Sequence, residues 1–146
     1  MTAEKRTLEN FLLPTKVKLS LLWTSLMFLY IYNDYFSMYT PGTIEAMSVG
    51  RMGPLGQATD VIMISVSLLL AVPALMIFLS AALPPVLSMW LNVLLGLAYT
   101  VIEVLTFMGP HLFYKIVVGL EIAVSLLIVW YALNWPRKAI QPKSAV

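Results

Sequence analysis

Residues 58–80 read ATDVIMISVSLLLAVPALMIFLS, with Asp60 the one charge in the stretch. A helix of that length spans about 34 Å, and the hydrocarbon core of a bilayer is about 30 Å thick. Pro73, inside the stretch, is expected to kink the helix rather than end it. Working outward, three further segments have the same character: roughly 17–38, 88–108 and 112–134. Pro41-Gly42, Gly53-Pro54 with Gly56, Pro84-Pro85, Gly109-Pro110 and Pro136 punctuate them, because proline lacks a backbone donor and restricts the residue before it. The expected fold is all-α: a polytopic membrane protein whose single domain, residues 17–135, is a bundle of four transmembrane helices. Short polar tails, 1–16 and 136–146, flank it.

Composition agrees. Hydrophobic residues make up 60% of the chain and charged ones 11%, against about 25% charged in a soluble domain. Too little polar surface is left to cover a water-soluble globule. The basic residues cluster at the two ends and form no patch on a folded face, which argues against a nucleic-acid partner. Cysteine is absent, so disulfides, thiolate metal sites and a cysteine nucleophile are excluded. The single histidine, His111, falls in a turn and cannot supply the Glu-x-x-His pairs of a di-metal bundle. No metal site is expected. No phosphate-binding glycine loop or Ser-His-Asp set can be assembled, and no cofactor is implied.

Charge placement gives an orientation. Lys5, Arg6, Lys16 and Lys18 precede the first segment, and Arg137, Lys138 and Lys143 follow the last. The positive-inside rule then puts both termini in the cytoplasm, as an even number of spans requires. Arg51 and Lys115 are left outside. Tyr30 to Ser37 offers no small-residue cleavage site, so the first segment is read as a span and not as a signal peptide. Trp23, Trp90, Trp130 and Trp135 fall toward cytoplasmic helix ends, where interfacial belts favour tryptophan. The longest connection, about residues 39–57, lies outside; Thr43 to Val49 within it could form a short interfacial helix.

The informative residues are polar ones inside apolar stretches. Each segment carries one acid: Asp34, Asp60, Glu103 and Glu121. With the assigned topology, all four fall in the outer half, about 6, 3, 8 and 14 Å in from the outer ends of their spans. In the third segment Asn92, Gly96, Tyr99, Glu103 and Thr106 recur at intervals of four, three, four and three, which puts them on one helical stripe. Gly96 would let a neighbouring backbone come close. In the first segment Tyr30, Asn33 or Asp34, and Ser37 share a face, with Tyr32 in the same polar run. Tyr114, Glu121 and Ser125 align in the fourth, and Asp60 and Ser67 in the second. The helices can therefore aim their acids at a common axis. Carboxylates crowded together cannot all ionise, which suits a proton relay, a general acid or a cation site. Plainer roles compete: Asp60 near a helix start reads as a cap, Glu103 and Asn92 can hold helices together, and Arg51 or Lys115 could neutralise an acid.

The run Lys16-Val17-Lys18-Leu19-Ser20 with Trp23, then Tyr30-Ile31-Tyr32-Asn33-Asp34, the Pro41-Gly42 after Tyr39, and Trp130-Tyr131 near the end resemble an uncharacterised family of small four-span bacterial membrane proteins. The similarity covers roughly residues 16–135, and the chain also looks, more loosely, DoxX-like. The resemblance implies a four-helix fold and a bacterial inner (plasma) membrane, but no reaction.

The leading functional expectation is an outward-facing, carboxylate-lined pocket that binds a small ligand or relays protons. Its candidate residues are Asp34, Glu103, Glu121, Asp60, Asn33, Tyr30, Tyr32, Tyr99 and Asn92; no catalytic residue can be named. One alternative is a membrane enzyme using the acids on a lipid-soluble, quinone- or isoprenoid-like substrate. Another is an accessory subunit of a larger membrane complex. The bilayer is the expected partner, with a homodimer or larger complex where transport is the role.

Overall fold

A computed structural model describes residues 12–108 and 111–137. Lys5, Arg6, Lys138, Lys143, Gly109-Pro110 and most of both expected tails lie outside the described residues. The elements are α1 (Thr15–Ser37), the short α2 (Thr43–Ser48), a 3-10 turn (Gly53–Leu55), α3 (Asp60–Ala82), α4 (Pro85–Thr106) and α5 (Leu112–Leu133). No strand occurs among the described residues; the fold is all-α. The expected segments fall within about three residues of the long helices, the usual scatter of helix ends read from sequence.

Local chemistry sets the boundaries. Thr59 caps α3 by accepting a 3.4 Å bond from the Ile62 amide. Pro84 sits at the cap of α4 and Pro85 at its first turn, where a missing N–H has no intrahelical partner to lose. Gly42, with φ 82°, lets the chain turn into α2, a backbone conformation that side chains disfavour. The connection between α1 and α3 is built rather than loose: Met52 and Ala58 donate to the carbonyls of Gly56 and Gly50, each at 2.7 Å, and Arg51 pairs with Gln57 in an antiparallel bridge.

α3, α4 and α5 are each long and apolar enough to cross a membrane. α1 is just as long, at 23 residues, but falls outside that set. Lys16, Lys18, Asn33 and Asp34 dilute its apolar character, so three helices meet the requirement where four were expected. The outward surface is rich in large apolar side chains: Phe78 is 70% exposed, Leu105 74% and Leu112 74%. Such a surface suits hydrocarbon, not water.

α1 packs against α3 and α5, and α4 packs chiefly against α5. The helices alternate in direction. At one end, the Lys16 ammonium donates to the carbonyls of Ala81 (3.1 Å) and Leu83, tying the start of α1 to the end of α3. Lys18 lies 5.2 Å from the centre of the Tyr131 ring, near the end of α5. The core joins Leu19, Trp23 and Leu26 of α1, Met76 of α3, Val93 and Tyr99 of α4, and Ile128, Val129 and Ala132 of α5. Trp23 is fully buried and meets Tyr99 edge-on at 5.9 Å. This corrects the interfacial-belt reading for Trp23; Trp90 and Trp130, both more than half exposed, remain on the surface.

Candidate functional site: two buried polar clusters

The stripe on α4 faces the bundle as far as Glu103; Thr106, its last expected member, is exposed near the helix end. Asn92, Gly96, Tyr99 and Glu103 are all among its buried residues. A Cβ on Gly96 would come 2.8 Å from a Val129 methyl and 3.4 Å from the Ser125 carbonyl. The missing side chain is thus what lets α4 lie close against α5. Along this stripe two polar clusters form, about three turns apart.

The first surrounds Asn92. Its side-chain oxygen accepts from the Trp23 indole N–H at 2.7 Å and from the Ser80 hydroxyl at 3.1 Å. Its amide nitrogen donates to the Ser88 carbonyl at 2.8 Å, and Ser88 donates onward to the Ser80 carbonyl at 2.9 Å. Asn92, Ser80 and Ser88 have no exposed surface. Every polar atom here finds a partner on α1, α3 or α4, so Asn92 ties three helices together.

The second cluster holds Glu103 and Glu121, each 3% exposed. Glu103 accepts from the Tyr30 hydroxyl of α1. The Ser125 hydroxyl of α5 lies 2.8 Å from both Glu103 oxygens and 2.9 Å from the Glu121 carbonyl. Glu121 accepts from the Asn33 amide nitrogen at 3.2 Å. Helices α1, α4 and α5 thus converge here: Tyr30 and Ser125 bind the Glu103 carboxylate, and Asn33 binds that of Glu121. No lysine or arginine among the described residues lies against either acid, so Arg51 and Lys115 do not neutralise them. Ser125 lies one turn beyond Glu121, as Ser88 lies one turn before Asn92. That spacing is the sequence signal that could have raised both serines to candidates.

The remaining candidates separate from this centre. Asp34 is exposed and walls a cavity of ≈ 1230 Å³ beside the connection between α1 and α3, together with Tyr35, Met38, Met63, His111 and Tyr114. Asp60 is exposed in the first turn of α3, so the four acids do not meet at one axis: its rotational phase turns it away. Tyr32 is 55% exposed and stacks with Phe28 and Phe36 along the outside of α1. Tyr99 donates to the Leu69 carbonyl of α3 rather than to an acid. The choice between Asn33 and Asp34 is settled geometrically, since neighbours on a helix point about 100° apart and Asn33 is the one turned inward.

No curated protein and no solved structure matches this chain. One family model does, over residues 11–141. With most of its length covered, the chain belongs to the DUF6326 family, a family of unknown function.

Proposed function

We propose that the protein crosses a bacterial inner membrane four times, with α1 as the fourth span and both termini cytoplasmic. In this reading Glu103 and Glu121 together hold a proton that exchanges with the outer side past Asp34. The observation that carries it is the pair itself: two buried carboxylates from adjacent helices, Glu103 bonded to Ser125 one turn beyond Glu121, with no cation beside them. Two negative charges in so dry a place are too costly to coexist, so the pair retains a proton between them. Tyr30 and Ser125 are hydroxyl groups able to accept and donate in turn, as a relay needs. Asp34, between this centre and the outer cavity, supplies the next carboxylate on the way out. The length of α1, the apolar Phe28, Ile31 and Phe36 on its outer face, and the lysines at its start support its place as a span, as does the four-helix, DoxX-like look of the sequence.

Proton uptake by liposomes carrying the protein and an internal pH dye tests the reading. Glu103→Gln and Glu121→Gln should each reduce uptake to the level of empty liposomes, Asp34→Asn should slow it, and Asp60→Asn should leave it unchanged. Equal uptake by the wild type and both glutamine variants overturns it.

A further inference from the structure

Around Glu103 and Glu121, acceptors outnumber the hydrogens available to them. Tyr30 and Ser125 each bring one hydroxyl hydrogen, and Asn33 brings two amide hydrogens. The single Ser125 hydrogen has three acceptors within reach. Asn33 Oδ1 has no partner at all, although Asn33 is only 6% exposed. The orientation of that amide follows from its neighbour: the nitrogen faces the Glu121 carboxylate, and turning it over would set oxygen against oxygen. A buried acceptor left bare is rare in folded proteins and calls for an occupant.

We propose that this cluster binds one small monovalent metal cation, liganded by Asn33 Oδ1 and the two carboxylates, in exchange for the proton the pair otherwise holds. The proposal rests on the proton-holding reading above. Exchange of a proton for a monovalent ion leaves the charge of the buried cluster unchanged, so either occupant satisfies it. A divalent ion fits less well: among the described residues no group of three or more acidic, histidine or cysteine side chains can hold a metal, and calcium takes six to eight oxygens. An organic ammonium fits less well, because Glu103, Glu121 and Asn33 are only 3%, 3% and 6% exposed and are hydrogen-bonded within the bundle. Of the ionisable groups of α1, Tyr30 faces the pair and Asp34 lies near it but is turned outward; Tyr99 of α4 stands behind Tyr30, and the one acid of α3, Asp60, is exposed.

Thermal unfolding of the purified full chain in detergent, at constant ionic strength in choline, sodium or lithium chloride, tests the site. At alkaline pH, sodium or lithium at a hundredfold excess over Kd should raise Tm by roughly 5 °C over choline. The difference should shrink at acid pH, where protons compete. Asn33→Leu and Glu121→Gln should abolish it, and Asp60→Asn should keep it. Identical Tm values in the three salts at every pH overturn the proposal, as does a cation effect that survives in Asn33→Leu. Should Asn33→Leu fail to fold, Asn33→Ala and Glu121→Gln carry the same comparison. Addition of sodium chloride to weakly buffered protein should also release protons. Stabilisation without proton release overturns the exchange and the proton-holding reading while leaving a cation site. Loss of the cation effect with liposome proton uptake intact overturns the cation site alone.

Discussion

The Asn92 cluster and the glutamate cluster are built from the same stripe of α4, lie about three turns apart and are both buried, yet they solve opposite problems. Around Asn92 each donor has an acceptor, no group is ionisable, and three helices are joined by neutral hydrogen bonds. Around Glu103 and Glu121 there are two acids, no cation and a bare amide oxygen. Completed polar networks fix packing, whereas incomplete ones are expensive unless something else occupies them. The contrast teaches that polarity inside this bundle is not by itself a mark of function. What distinguishes the glutamate cluster is its deficit of donors.

The largest effect that would break this contrast is on stability. Asn92→Leu strands the Trp23 indole N–H and the Ser80 hydroxyl inside the core, and should cost about 3 kcal/mol. Chemical unfolding in detergent would read the loss, while proton uptake per folded molecule should stay normal. If uptake vanished in folded Asn92→Leu protein, the division of labour between the clusters would be wrong. A smaller effect is expected at Gly96, between the two. Gly96→Ala forces a methyl toward Val129 and the Ser125 carbonyl and should cost roughly 1–2 kcal/mol. Because it pushes on the α5 turn that carries Ser125, it should weaken the cation-dependent Tm rise. Full retention of that rise would show that Ser125 is not critical to the site. The smallest change is expected from Glu103→Gln, which keeps shape and removes a charge from a dry site. Its stability should stay within about 1 kcal/mol of wild type, even as its uptake is lost. A large destabilisation would instead make Glu103 a structural tie like Asn92.

Much of this was legible because helical periodicity is a property of the chain alone. The intervals from Asn92 through Gly96 and Tyr99 to Glu103 identify one face, and that face is buried. The long helices were equally visible, from apolar length and from the prolines and glycines between them. What periodicity cannot supply is the phase of each helix about its own axis. Tyr30 and Asn33 turn inward while Tyr32 and Asp34 turn out, although all four sit in one polar run. Trp23 shows the same limit: its place near a helix start matched an interfacial residue, but the neighbour at that height is Asn92, and burial follows from that bond.

The sequence by itself determined the all-helical architecture, the helix limits and the presence of an acid in or beside each apolar stretch, since these depend on composition, breakers and a fixed rise per residue. Only the tertiary structure decided that two of the four acids meet. Whether side chains on different helices face each other depends on how neighbouring surfaces interlock, and the close approach at Gly96 is what brings the Glu103 carboxylate against Ser125, one turn from Glu121. The same packing left Asp60 exposed, placed Asp34 on the wall of the cavity beside the α1–α3 connection, and left one amide oxygen of Asn33 without a partner.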